Sequence, residues 1–425
     1  MFKKHPKGMA FLFFTEMWER FGFYILMAVL VLYMDKEFGW SDSQKGDYYG
    51  WFLGAVYFIP LFGGWIGDRF LGQMKSIRIG AVIMIIAYAM LGMSSVDRIY
   101  FFNLGLFLLA LGTGIFKVNI SVMIGNLYRK KPELKDAGFN IYYMGVNLGA
   151  AIAPLAATAI SIIFHSYRIS FWAAAAGMLF SLIVFQTGKN YLLGADIRQD
   201  RASREKSNRI STMPKSEERE RLLILIVLFF IVSIFWVAFY QNGFALTLFA
   251  ERSTVILSWL RPETYQFFNP FFILVLTPPL LSFFDRLRKV NKEPTTPRKM
   301  FLGMQIIGIA MIVMVIASLL GGNKDQNIMS PLWLITTYFI VTLAEIMISP
   351  IGLSFVSKVS PSRYQGIMMG GWFVSIALGS YGSGLMGKFY SDFAHHQYFL
   401  ILTGLLVIAA VLVFLFLKKL EKYTI

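Results

Sequence analysis

Glu16-Met17-Trp18-Glu19-Arg20-Phe21-Gly22-Phe23-Tyr24 places three charges inside an apolar run. Residues 8–15 before its first glutamate and 21–34 after its arginine carry no charged side chain. At helical spacing Glu16, Glu19, Arg20, Phe23 and Tyr24 fall on one face. The surrounding run is long enough for a membrane helix, which needs about 20 apolar residues. A charge at the middle of such a helix costs about 2.5–3.5 kcal/mol, so three on one face require a reason. Intramembrane charges face a bundle interior or a watery cavity and mark ion or proton pathways. A Glu16–Arg20 pair at i, i+4 that ties helices together is the plainest alternative, but it leaves the second carboxylate unexplained.

The composition agrees with a membrane class. Of 425 residues, 56% are hydrophobic and 15% charged, where soluble proteins carry roughly 25% charged residues. The chain has no cysteine, which excludes disulfides and thiolate metal sites. Its four histidines (His5, His165, His395, His396) do not form a sequence cluster, so no metal or other cofactor is expected. The net charge of +16 sits in loops between apolar spans. That placement reads as topology and contact with lipid headgroups, not nucleic-acid binding. The basic start leads into apolar sequence as a signal peptide does. The charges of the first apolar segment, and the lack of a small-residue cleavage site after it, make a retained first helix the expectation.

Twelve candidate spans follow, at roughly 9–34, 46–67, 77–96, 99–128, 137–164, 169–188, 222–250, 264–284, 300–323, 330–357, 364–390 and 396–417. With the first loop phase placed inside, inner segments hold 30 of the 40 Lys and Arg. The positive-inside bias then puts both termini in the cytoplasm of a plasma (inner) membrane protein. The expected class is an all-α polytopic membrane protein. The polar stretch from Lys189 to Arg221 reads as a flexible or surface-lying linker. It gives an N-terminal six-helix bundle over 1–190, a charged cytoplasmic linker over 191–221, and a C-terminal six-helix bundle over 222–425. Glycine pairs at four-residue spacing (Gly50 and Gly54, Gly63 and Gly67, Gly145 and Gly149) suit close helix approach. Prolines 60, 154, 270, 278, 279 and 350 lie inside spans and should kink them. The G-x-x-G-x-G of residues 379–384 follows no strand, so a nucleotide site is rejected.

Few other ionisable groups lie in the spans. Lys117 sits in span 4 and Glu345 in span 10, with the amides Asn147 and Asn269 in spans 5 and 8. The first half offers Arg20 and Lys117 beside Glu16 and Glu19; the second offers only Glu345. A ligand with an anionic and a cationic end, such as a zwitterionic peptide, fits such a pair of halves. The alternative is a set of separate helix-packing contacts.

Two six-span halves around a midplane site resemble the major facilitator superfamily. Gly64-Trp-Ile-Gly-Asp68-Arg69-Phe-Leu-Gly72-Gln-Met-Lys75, in the loop after span 2, resembles that superfamily's loop motif. More specifically, the chain resembles the proton-dependent oligopeptide transporters. The resemblance rests on Glu16-Met-Trp-Glu19-Arg20-Phe21, on Asp136-Ala-Gly-Phe-Asn-Ile-Tyr-Tyr-Met-Gly-Val-Asn147-Leu-Gly-Ala, and on Glu345-Ile-Met-Ile-Ser-Pro-Ile-Gly-Leu-Ser. Phe-Lys117-Val-Asn-Ile-Ser, Asn269-Pro270 and Met-Met-Gly-Gly-Trp372-Phe add to it. It implies proton coupling by Glu16 and Glu19, in concert with Arg20 and Lys117. It implies that Arg20 and Lys117 bind the peptide carboxylate, helped by Tyr24 and Asn147, and that Glu345 and Asn269 hold the amino end. Trp372 and nearby aromatics would line side-chain pockets. The implied function is import of di- and tripeptides by proton symport, with no cofactor beyond the proton, no enzymatic reaction, membrane lipid as surroundings and a monomer as the working unit.

The chain departs from that family in places. Tyr240 stands in span 7 where the family has an acid, and Met27 in span 1 where many members have a second arginine. In the family these two positions can pair across the outer ends of the halves. Losing both partners together can be near neutral, whereas losing one is not. Met27 and Tyr240 are therefore read as an apolar outer gate, a sulfur–aromatic contact. No extra hairpin separates the halves, and span 2 has no histidine. Two other functions stay open: the same fold carrying another organic anion or peptide-like compound with weak coupling, and a peptide sensor that does not transport.

Overall fold

The computed structural model describes residues 4–197 and 214–423, without the side chain of Asp68. Among the described residues the chain is helical, and its one β feature is a bridge between Thr254 and Met329. The helices are α1 (Gly8–Phe38), α2 (Asp42–Phe58), α3 (Pro60–Ile66), α4 (Gln73–Met93), α5 (Ile99–Leu127), α6 (Lys135–Phe164), α7 (Arg168–Thr187) and α8 (Lys189–Leu192). Then come α9 (Lys215–Phe239), α10 (Ala245–Arg252), α11 (Phe268–Lys289), α12 (Thr296–Leu320), α13 (Pro331–Val359), α14 (Gln365–Gly387) and α15 (His395–Glu421). Eleven helical stretches of the described residues are long and apolar enough to cross a membrane. The expected span at 364–390 is not among them. Helix α14 there has 23 residues, but seven glycines and three serines dilute its apolar character.

The chain divides into two compact units, Met1–Trp40 with Ala55–Asp200, and Ser41–Gly54 with Arg201–Ile425. In the first, α1 packs on α6 and α7, α4 on α5 and α7, and α3 on α5. In the second, α9 packs on α14 and α15, α12 on α13 and α15, and α11 on α13. Helix α1 is the core of its unit. Every residue from Ile25 to Met34 is buried, as an all-apolar surface dictates. The helix stops at Gly39, whose φ of 61° lets its N–H turn back to the Asp35 carbonyl at 3.1 Å.

Small residues set the spacing. A methyl on Gly149 would collide with the Met17 carbonyl of α1, and one on Gly63 with the Gly114 carbonyl of α5. Pro60 brings no N–H, so the helix restarts as α3 and then widens into a π turn over Gly67–Leu71. Gly72 closes that turn, its N–H 2.8 Å from the Gly67 carbonyl. The side chain of Asp68, the acid of the loop motif, lies outside the described residues. Of the expected linker, α8 and the turn Leu193–Ala195 are docked on the first unit: Leu192 and Ala195 are buried. Asn126 Nδ2 donates to the Ala195 carbonyl at 3.0 Å, and Asp196 accepts the Met74 N–H at the start of α4. Residues 198–213 lie outside the described residues, and Lys215–Arg221 already form the first turns of α9.

Candidate substrate and proton site

The opening motif is buried on α1: Glu16, Glu19 and Arg20 are 1%, 0% and 3% exposed. Close passage of α6, permitted by Gly145 and Gly149, and of α7 at Gly177 shuts the helix away from lipid. Water cannot solvate these charges, so they solvate one another. Arg20 forks onto Glu19, donating from Nη2 to Oε1 at 2.6 Å and from Nε to Oε2. Its Nε also lies 3.3 Å from Glu16 Oε1. The pair expected at i, i+4 is thus the weaker one, and the adjacent glutamate takes the two-pronged contact. Two carboxylates share one guanidinium. Arg20 also lies over the Phe23 ring, 5.1 Å from its centroid, and Phe23 meets Tyr24 edge-on at 5.6 Å.

Lys117 projects from α5. Its Nζ lies 5.1 Å from the Tyr57 ring centroid on α2, and no carboxylate among the described residues is within ion-pair distance of it. Two residues on, Asn119 donates to the Ile115 carbonyl at 2.7 Å and to the Gly63 carbonyl at 3.3 Å. That amide ties α5 to α3. Asn147 on α6 is buried and donates to its own helix, at the Tyr143 carbonyl, 2.9 Å away.

In the second unit Asn269 donates to Glu345 Oε2 at 2.8 Å and to Thr342 Oγ1 at 3.1 Å. This joins α11 to α13 and brings together the two residues expected to hold an amino group. No Lys or Arg among the described residues pairs with Glu345. Trp372 on α14 is 2% exposed, its ring seated where a methyl on Gly352 would be. Met27 is buried in the first unit. Tyr240 lies in the second, where its carbonyl accepts from Tyr49 Oη at 2.7 Å and its ring lies 5.8 Å from Trp236.

The structure adds residues that sequence reading passed over. Tyr57 is the face on which Lys117 rests. Tyr142 lies beside Glu16 and was present, unremarked, in the motif from Asp136 to Ala150. Gln241 links three helices of the second unit: its Nε2 donates to the Ser383 carbonyl at 3.1 Å, and its Oε1 accepts from Tyr398 Oη at 2.8 Å. Its neighbour Asn242 accepts the Tyr338 hydroxyl at 3.0 Å through its carbonyl. Both follow the break after α9, where freed backbone needs side-chain partners.

Buried charges on α1, a half-buried lysine on α5, a half-buried acid–amide pair on α11 and α13, and many apolar helices define an integral membrane transporter. The family model described as the POT family matches residues 74–193 and 195–402, and the chain belongs to that family. It is 27% identical to the di-/tripeptide transporter of Lactococcus lactis subsp. cremoris, over 97% of this chain and 95% of that one. It is 26% identical to dipeptide and tripeptide permease A of Escherichia coli (strain K12), over 90% and 85%. A crystal structure of the peptide transporter POT with sulfate has a TM-score of 0.89 at 27% identity, covering 100% of this chain and 97% of that one. A mutant of that transporter in complex with alafosfalin gives the same score and identity. A POT family transporter in complex with 5-aminolevulinic acid shares the fold, with a TM-score of 0.87 at 24% identity.

Proposed function

We propose that this protein imports di- and tripeptides by proton symport through alternating access. The observation that carries the reading is the unequal ion cluster of the first unit: Arg20 forked on Glu19, Glu16 at its edge, and Lys117 with no carboxylate of the described residues within ion-pair distance. A peptide carboxylate brings the missing negative charge to Lys117 and competes with Glu19 for Arg20. A carboxylate displaced from its cation in a dry site takes up a proton rather than stay charged. Binding and protonation then favour each other with no covalent step. Tyr24 and Asn147 complete the carboxylate end. At the other end, Glu345 takes the peptide ammonium, oriented by Asn269, and Trp372 shapes the space for a side chain.

We assign twelve spans to this reading, α14 included, in two halves of six without an inserted hairpin. The support is the helix pairing, which repeats between the two units term by term. Both termini face the cytoplasm, the membrane is the plasma (inner) membrane, and the working unit is a lipid-embedded monomer. Met27 and Tyr240 serve as an apolar outer gate in place of an ion pair. A second reading, another organic anion or peptide-like cargo, is favoured by that same loss of a cation and an acid.

Uptake of labelled dialanine into proteoliposomes tests the proposal. Accumulation under an inward proton gradient, collapsed by a protonophore, is the expected result. Binding without accumulation would replace symport with sensing or weak coupling, and no binding would point to a different cargo.

A further inference from the structure

The second unit also carries a polar cluster to which the proposed transport cycle assigns no role. The loop between α12 and α13 lies across the ends of α10 and α15. It is fastened in two halves of different chemistry. The later half is held by amides: Asn327 Nδ2 donates to the Glu251 and Thr254 carbonyls at 2.6 and 2.9 Å, and the Met329 N–H to the Ser253 carbonyl at 2.9 Å. None of these groups titrates. The earlier half is held by two histidines at the start of α15. His395 Nε2 lies 3.3 Å from Asp325 Oδ1, which also accepts from Ser253 Oγ at 3.5 Å, and Asn323 Oδ1 accepts the His396 N–H at 2.9 Å with the His396 ring Nδ1 3.0 Å away.

His395 is 7% exposed and stacks on Tyr390, with centroids 5.2 Å apart and planes 14° from parallel. Its Nδ1 is buried with no hydrogen bond among the described residues. The charged and titratable groups facing it are Asp325 from the loop, Arg252 from α10, Asp42 from the start of α2 and Tyr390 from the turn after α14; His396 is its neighbour on α15. Asp42 is shared by Arg252, in a two-pronged contact at 2.9 and 3.0 Å, and Lys45, at 2.7 Å, so this trio keeps a positive charge. The half-exposed Asp325 carboxylate is the acid with which an imidazolium at 395 would pair.

We propose that His395 is a pH-operated latch: protonated, it clamps the Asp325–Gln326 part of this loop through Asp325; neutral, it releases that part while the His396 N–H keeps Asn323 and Asn327 keeps the later half in place. On the orientation proposed above, on which this sidedness rests, the latch faces outside and fastens in the acidic medium that drives import.

The absence of native cysteine makes the test direct. Gln326→Cys and Ile328→Cys each place one spin label, at exposed positions on the two halves. Between about pH 5 and 8, where histidine changes charge, the label at 326 should loosen as pH rises, and the label at 328 should not. His395→Gln should remove the pH response at 326, and His396→Asn should leave it. A response at 326 that survives His395→Gln, no response at all, or an equal response at 328 would overturn the latch. Labelling of the 326 cysteine by an impermeant maleimide added outside separately tests the orientation, because the spin-label comparison in detergent does not depend on it.

Discussion

The two units repeat one set of helix pairings but are charged in opposite styles. The first holds two carboxylates, one forked guanidinium and one ammonium resting on a tyrosine. At the corresponding place the second has Glu345, held by the Asn269 amide, which also donates to Thr342. Packing is therefore duplicated while chemistry is divided. A shared, competed-for cation can couple a proton to a ligand. An acid with a neutral partner can bind an ammonium but has no internal cation to release.

The largest effect should come from Arg20→Ala. It strands two buried carboxylates, and breaking a buried pair from one side costs about 3–5 kcal/mol. Thermal unfolding in detergent should drop sharply, and transport should vanish. Adding Glu19→Gln should restore much of the stability but no uptake. Recovery of uptake would show that the arginine is structural only.

Lys117→Gln comes next. A hydrogen bond to a charged partner is worth about 1.5–3 kcal/mol, so dipeptide affinity measured by binding should fall by about ten- to a hundredfold. A dipeptide amide, which lacks the carboxylate, should be bound equally by both proteins. Equal affinity for the free dipeptide would remove Lys117 from the site.

Glu345→Gln should have a smaller and different effect. It keeps a polar partner for Asn269 and loses only the charge, so affinity for free dipeptides should fall. The stoichiometry of protons per peptide, read from reversal-potential measurements, should stay unchanged. A change in that ratio would break the division of labour between the units.

The smallest effect lies on the loop after α11. Hydrogen bonds from Arg288, at 2.6 and 3.0 Å, and then from Lys299 hold the Glu293 carboxyl down to about 2, outweighing its modest desolvation. A carboxyl lowered on folding stabilises above its unfolded value near 4.3 and loses that contribution as pH falls through its folded value. The melting-temperature gap between the wild type and Glu293→Gln should be constant above about pH 5 and shrink toward pH 2. A gap that ignores pH would place the effect in packing.

Much of this was legible in sequence because membrane solvent makes charge conspicuous. Glu16, Glu19, Arg20, Lys117 and Glu345 stood out against apolar surroundings, and Asn269 and Glu345, which the family resemblance grouped at one end of the ligand, lie in contact. Glycine spacing also gave the close approach of α6 to α1. The choice of partner for Arg20 was not legible. Helical geometry points Glu16 at it, while side-chain reach in a crowded site delivers Glu19. The tyrosines at 57 and 142 were hidden for the opposite reason: among 20 tyrosines, nothing in spacing marks the ones that meet a charge. The docking of Leu192 and Asp196 was missed because a polar composition reads as linker even where one aspartate caps a helix start.

The central claim, that coupling resides in the carboxylates of the first unit, is tested most directly by comparing gradient-driven uptake with counterflow for Glu19→Gln and Glu16→Gln in the same liposomes. Gradient-driven accumulation of dialanine should be lost while exchange against internal dialanine continues, since exchange needs binding and movement but no net proton transfer. Accumulation retained in both variants and in their combination would contradict the account and move the proton elsewhere.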